Sequence, residues 1–439
     1  MRSKANILFA VILACAVVVG CARQSYRLPA SPAMPSQVDT REAPVQPADF
    51  ETPPVLSAQE YLPPELQRSA HHWLEDEVYT YGFMNNYRII SPYEEFDVTS
   101  DDMLRIRVQE IYAIAALEEV SKSGEFGNAV KTAAKSPIEG AKNLILHPVD
   151  TISGIPKGAW RFVTRVGEMT KGGRGEFEES VSKELIGFSA VKRQYAYALG
   201  VDVYSSNQVL QRYLNSVSWA SYAGGMPVKV GMIFIPGPVG IIVNAPKATL
   251  ALNQILRDSA PEDLRRMNRK LLRDAGIDKK LVEEFLKHPW YSPKHTTYLV
   301  DALVDMENAR GKEVFLRLAL NAASEEDALL FERIAEMMRG YNNGVSPVKQ
   351  IVYLEGLPAF YAENGSFVVP LMLDYGVWTE EGAEAVGIIS RATFPGLKIV
   401  KREVWISGNL SPLARQMATA RGISVYGNAF AKLYPQPEE

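Results

Sequence analysis

Residues 351–369, IVYLEGLPAFYAENGSFVV, decide how this chain is divided. Ile351–Leu354 reads as a strand. Asn364-Gly365, set between the apolar runs Ala359–Glu363 and Ser366–Val369, is the strongest two-residue hairpin signal in the sequence, because both residues tolerate the positive φ that a tight β-turn requires. Pro370 offers no N–H to a ladder, so it must sit at a sheet edge or a strand end. Further on, a helix is expected over Glu380–Arg391 and a strand over Glu403–Ile406. Ser411 caps another helix with Pro412 at its first position and Gly422 just past its end. Ile423–Tyr426 is a last short strand. Strands alternating with helices make residues 346–439 a small α/β domain.

N-terminal to this region the chain reads as helical, so the expected fold class is mainly α with a smaller C-terminal α/β domain. The helical domain is placed at residues 65–345, with His71 to Ala223 read as helix. Its clearest helix follows Thr99-Ser100-Asp101-Asp102, a cap-rich entry with acids in the first turn. Apolar positions from Met103 to Leu117 are dense enough for a buried helix. A second helix runs from Ser205-Ser206-Asn207 to about Gly224-Gly225. Further helices are expected from Pro261 to Gly276 and over Lys279–Lys287, Lys294–Ala309, Lys312–Ala322 and Glu325–Arg339, the last behind a Ser324-Glu325-Glu326-Asp327 capping entry.

Two segments break that pattern. Residues 224–246, GGMPVKVGMIFIPGPVGIIVNAP, place two apolar arms around Pro236-Gly237-Pro238, which suits an apolar hairpin or core crossing and is too short for a spanning helix. Residues 129–171 are locally basic: Lys131, Lys135, Lys142, Lys157, Arg161, Arg165 and Lys171 stand against Glu139, Asp150 and Glu168. With Trp160 and Phe162 beside those cations, an amphipathic contact with lipid or a partner is one reading. Short helices begun at Pro137, Pro148 and Pro156 and packed on the body are the other. Lys142, Lys157, Trp160, Arg161, Phe162 and Arg165 are the residues of that candidate contact.

Catalytic signals are weak. His71, His72, His147, His288 and His295 show no metal-ligand spacing and read as surface or capping histidines. Gly187-Phe188-Ser189 lacks the second glycine of a nucleophile elbow, and Gly311-Lys312 lacks a phosphate loop and reads as a helix junction. No catalytic residue is assigned, and no cofactor or metal is implied. Glu94, Glu95, Asp97, Asp101 and Asp102 form an acidic patch that could hold a cation, though helix-entry charge and a solvated turn explain it more cheaply. An acid/base enzyme would have to use the predicted strand ends of the last domain, at Glu355, Asp374, Tyr375, Trp378 and Asn409.

The 439 residues carry 47% apolar and 22% charged residues, an ordinary folded composition, and a formal net charge of −4. That balance argues against a nucleic-acid partner. Residues 22–64 hold nine prolines and little apolar periodicity, so 21–64 reads as a Pro-rich disordered tether with a reach on the order of 35–40 Å. Ahead of it, Arg2 and Lys4 precede an apolar run from Ile7 to Cys21. That run has signal-peptide length and a small residue, Gly20, before the cut site.

Val18-Val19-Gly20-Cys21 resembles the lipobox of bacterial lipoproteins. The resemblance covers the N-terminal segment alone and assigns 1–20 to a signal peptide removed before Cys21. It implies that the Cys21 thiol carries a diacylglycerol, and two or more acyl chains anchor stably where one does not. Ala22, with no aspartate after the cysteine, implies the outer membrane over the inner one. Cys15 leaves with the signal, so the mature chain contains no intramolecular disulfide. The expected function is a non-catalytic binding or scaffolding role in the cell envelope, with an envelope protein as a candidate partner. The alternatives are a periplasm-facing hydrolase with an acidic C-terminal site and a lipid-interface protein acting through 129–171.

Overall fold

The computed structural model describes residues 50–133, 183–228 and 247–435. The chain is not mainly α with β structure confined to its C-terminal end: strands open the described body as well as close it. Residues 73–99, expected to be helical, form most of an antiparallel sheet. Its strands are β1 (Val55–Ser57), β2 (Trp73–Leu74), β3 (Glu77–Tyr81), β4 (Met84–Ile90) and β5 (Glu95–Thr99), with short helices α1 (Ala58–Tyr61) and α2 (Pro64–Gln67) after the first. The local chemistry explains the correction. EVYTY alternates exposed and buried positions strictly, which is strand periodicity, and all its residues after Glu77 are β-branched or aromatic. The turn into β4 is Gly82-Phe83, with φ of 52° and 72°, closed by the Tyr81–Met84 pair. That is the doubly left-handed geometry of a tight hairpin, adopted here with a phenylalanine at its second position.

The same elements move the tether boundary. Residues 50–64, expected to lie in the disordered linker, are built into the body: Val55 pairs with Tyr79 and Leu56 with Val78. Pro64 opens α2 at its first turn, where a missing N–H costs nothing.

The central helix α3 (Asp101–Ser121) begins as expected, with the Ser100 hydroxyl accepting from the Met103 N–H. It is buried on two sides. Leu104, Val108 and Ile111 pack under the sheet residues Val78, Tyr87 and Ile89. Ala113, Ile114 and Leu117 pack against the other helices of the N-terminal half. Those are α4 (Gly124–Ala133), α5 (Lys183–Ala198) and α6 (Gln208–Gly224). α6 starts on the Asn207 side-chain cap and stops at left-handed Gly225, both legible in the sequence. α7 (Lys247–Asp258), α8 (Pro261–Asp274), α9 (Lys279–Leu286), α10 (Pro293–Asp305), α11 (Lys312–Ala319) and α12 (Glu325–Gly344) follow.

The C-terminal strands are β6 (Val348–Leu354), β7 (Leu357–Ala362), β8 (Ser366–Leu371), the short β9 (Tyr375–Gly376), β10 (Lys401–Ile406), β11 (Asn409–Leu410) and β12 (Ile423–Tyr426). The main sheet has the order β12-β10-β8-β7-β6. β8, β10 and β12 run parallel, joined by crossover helices α13 (Glu380–Arg391) and α14 (Pro412–Ala420), and α15 (Ala429–Leu433) ends the described chain. Pro370 lies one residue before the end of β8, beyond the Phe360–Val368 pair with β7. It takes the strand-end position its chemistry demands.

This sheet is buried on both faces, and the two faces belong to different cores. Phe367, Val369, Val404 and Ile406 face Ile389 of α13 and Ala418 of α14. Ile351, Phe360, Val368 and Trp405 share one continuous core with Leu299, Phe315, Phe331 and Met338 of the preceding helices. One face of this sheet therefore packs in a core shared with residues before 346. A sheet with two apolar faces needs two covers, and α10–α12 are the second.

Candidate functional site at the strand ends and on the open sheet face

The three parallel strands end side by side, and the loops leaving them are stitched together. The Ser407 hydroxyl accepts from Leu373 N–H at 2.9 Å and donates to Leu373 O at 2.8 Å. Gly408 N–H donates to Leu373 O, Asn409 N–H to Asp374 O and Ser411 N–H to Gly376 O, while β9 and β11 pair in parallel. Gly408 is required: a Cβ there would lie 2.0 Å from Asp374 O. Carboxyl ends of parallel strands are where folds of this kind carry their ligands and chemistry.

Asp374 and Asp101, both marked in the sequence, meet here across 273 residues of chain. Asp374 Oδ2 accepts from the backbone N–H of Asn85 at 2.9 Å and of Asp101 at 3.2 Å. The Asp374 and Tyr375 N–H groups both donate to Phe83 O in the N-terminal hairpin. Asp101 accepts from Tyr61 Oη at 2.8 Å, from Asn85 Nδ2 at 3.0 Å and from Tyr87 Oη. Burial, and then the nearby Asp101 carboxylate, push the Asp374 carboxyl well above the usual carboxylate range. Burial and Asp101 also raise the phenols of Tyr61 and Tyr87. The arrangement favours the protonated form of Asp374 and pins the N-terminal hairpin and the start of α3 to the C-terminal sheet.

The other strand-end candidates separate. Asn409 and Tyr375 join the stitched loops. Trp378 is buried beneath Arg421, whose guanidinium lies 5.2 Å from the indole ring. Glu355 sits in the β6–β7 turn at φ 45°, at the head of β7, the antiparallel neighbour of β8. The acidic patch also divides. Glu95 and Asp97 lie on the open sheet face beside Arg88, whereas Asp102 pairs with Arg333 of α12 at 3.3 Å. His72 and His295, expected at the surface or at caps, are buried. His72 Nε2 contacts Leu66 O at 3.0 Å, and His295 Nδ1 pairs with Glu332. Among the described residues no group of three or more His, Cys, Asp or Glu side chains is placed to hold a metal ion.

A second feature was not read from the sequence. One face of the N-terminal sheet covers α3, and the other carries exposed aromatic side chains. Pairing puts Val55 beside Tyr79 and Trp73 beside Ile90, so Val55, Trp73, Tyr79 and Tyr81 share the outward side. Their exposures are 55%, 48%, 42% and 61%. Tyr79 and Tyr81 are near-parallel, 6.3 Å between centroids. Glu77 accepts from the Tyr79 hydroxyl at 2.6 Å. Arg88 lies 2.5 Å from Glu95, 3.5 Å from Glu75 and 3.7 Å from Asp97, so carboxylates outnumber the cation on this face. Following the alternation of EVYTY would have found it.

Cys21 and the candidate contact residues Lys142, Lys157, Trp160, Arg161, Phe162 and Arg165 lie outside the described residues, as do 134–171 and 229–246 of the two unusual segments. Among the described residues no helix is long and apolar enough to cross a membrane. The chain matches no family model, no curated protein and no solved structure.

Proposed function

We propose that this chain is a lipid-anchored protein of the bacterial cell envelope that works by binding a partner rather than by turnover. The observation that carries the binding role is the open sheet face with Val55, Trp73, Tyr79 and Tyr81. Large aromatics displayed together are the residues most often found at the energetic centre of protein interfaces. The surrounding Glu75, Glu77, Glu95 and Asp97 match a cationic partner segment, whose lysines or arginines gain from both carboxylates and ring faces. The anchoring half rests on the lipobox string ending at Cys21.

The binding half is tested by placing a photo-crosslinking residue at Tyr81 in the intact protein in cells. One discrete protein adduct is expected, with none from the same residue at Val400, which is 70% exposed elsewhere. The double change Tyr79→Ser and Tyr81→Ser is expected to weaken capture of that partner at least tenfold while leaving stability within about 0.5 kcal/mol, as for other exposed sites. Equal labelling from Val400, or an unaltered partner affinity, would remove the reading. For the anchor, Cys21→Ser is expected to move the protein from the detergent phase to the aqueous phase in cloud-point partition. It should also abolish the mass increment of acylation. A protein that stays in the detergent phase would contradict it.

A further inference from the structure

We propose that the loops at the carboxyl ends of β8 and β10 form a binding site for an acidic peptide, and that Glu51 fills it as an internal ligand. The site goes beyond the sheet-face reading and uses different residues. Glu51 Oε2 accepts from the Ser411 hydroxyl at 2.6 Å and from the Trp378 N–H at 2.6 Å. The Glu51 N–H donates to Trp378 O at 2.7 Å. One residue of an extended segment therefore contributes both a carboxylate and a backbone pairing, the two recognition elements a peptide ligand would bring.

The receptor is built without Glu51. Ser411 is 2% exposed, and its hydroxyl is oriented because it also accepts from Ala414 N–H at 3.0 Å as the cap of α14. The first turn of that nine-residue helix adds the positive end of the helix dipole. Ser411 N–H is held by Gly376 O, and β9–β11 pairing fixes both loops. Trp378 is 1% exposed, and its indole N–H is buried with no hydrogen-bond partner among the described residues. Arg421 stacks on its ring. These groups would remain in place if Glu51 left, so a peptide carrying Glu or Asp competes with the N-terminal segment for one position. Occupation of the site would release that segment from the body.

The test uses the full-length protein in detergent and the capped peptide Phe50–Pro54, sequence FETPP, as probe. The Glu51→Ala variant is expected to bind this peptide saturably, and the peptide with Glu replaced by Gln at least tenfold more weakly. Wild type is expected to bind the acidic peptide at least tenfold more weakly than the variant, because tethered Glu51 competes at high effective concentration. Adding Ser411→Ala to Glu51→Ala should abolish the preference for Glu over Gln. If Glu51→Ala does not fold, Glu51→Gln replaces it. On wild type, an excess of the acidic peptide should raise amide exchange in residues 50–56 and leave 409–415 protected. Absence of saturable binding, equal binding of the Gln peptide, or unchanged exchange at 50–56 would each make Glu51 a fixed tie and overturn the proposal.

Discussion

Asp374→Leu is expected to destabilise the protein by at least about 3 kcal/mol, and Asp374→Asn by less than about 1 kcal/mol. Leucine leaves the backbone N–H groups of Asn85 and Asp101 without the acceptor they now share, and each buried donor so abandoned costs about 1–3 kcal/mol. Asparagine keeps an acceptor oxygen in the same place. It also resembles the protonated form that burial and Asp101 favour for Asp374. The sign of the pH dependence follows. A carboxyl whose pKa is raised on folding binds its proton more tightly in the folded chain, so stability falls as pH rises from the ordinary value of 3.8 towards the folded one. Asp327, pushed up to about 6 by burial, adds a slope of the same sign that Asp374→Asn leaves in place. The difference between wild type and variant in urea midpoints from pH 4 to 8 therefore isolates Asp374. A wild-type curve parallel to that of Asp374→Asn would refute the protonated assignment. The same variant bears on the hydrolase alternative, for which Asp101 and Asp374 are the paired carboxyls: turnover lost in a fully folded Asp374→Asn protein would favour it over a purely binding role.

How far the sequence led depended on whether a signal was local. Caps and stops were legible wherever one residue does one job. Ser100, Asn207, Ser324 and Ser411 cap their helices, while Gly225, Gly276 and Gly422 take the left-handed conformation near the ends of theirs. The N-terminal sheet was missed because its hairpin uses Phe83 where glycine or asparagine would have announced a turn. Asp101 and Asp374 were each singled out, yet their meeting was not legible, since nothing local tells a helix-entry acid that it will face a strand-end acid. The shared core was illegible for a related reason. Alternation in Ile351-Val352 and Val368-Val369 says that both sheet faces are apolar, but not that Phe315, Phe331 and Met338 cover one of them. The aromatic face was legible in principle, because Tyr79 and Tyr81 occupy the same parity as exposed Glu77.

The strongest single test of that fused architecture is Gly311→Ala, expected to cost about 3 kcal/mol or more. Gly311 stands at φ 82°, and a Cβ there would lie 2.3 Å from Ile351 O. The left-handed conformation alone costs an alanine roughly 1 kcal/mol relative to glycine. The clash is with backbone, so no rotamer change relieves it, and the strand or the helix must move. Both are held, because Arg310 N–H donates to Lys349 O at 3.1 Å and Ile351 N–H donates to Arg310 O at 2.8 Å. One residue on, Lys312 Nζ caps the carbonyls of Glu307 and Ala309 at 2.9 and 3.0 Å. The site read from sequence as a helix junction is thus the seam between the helical layer and β6. Because a continuous core crosses that seam, the loss should be shared. Native-state exchange at Leu299 and Leu316 should quicken together with Ile351 and Val368, within one cooperative transition. An independent C-terminal domain would instead keep Val368 protected while the helices loosen, and that outcome would support the boundary at 346.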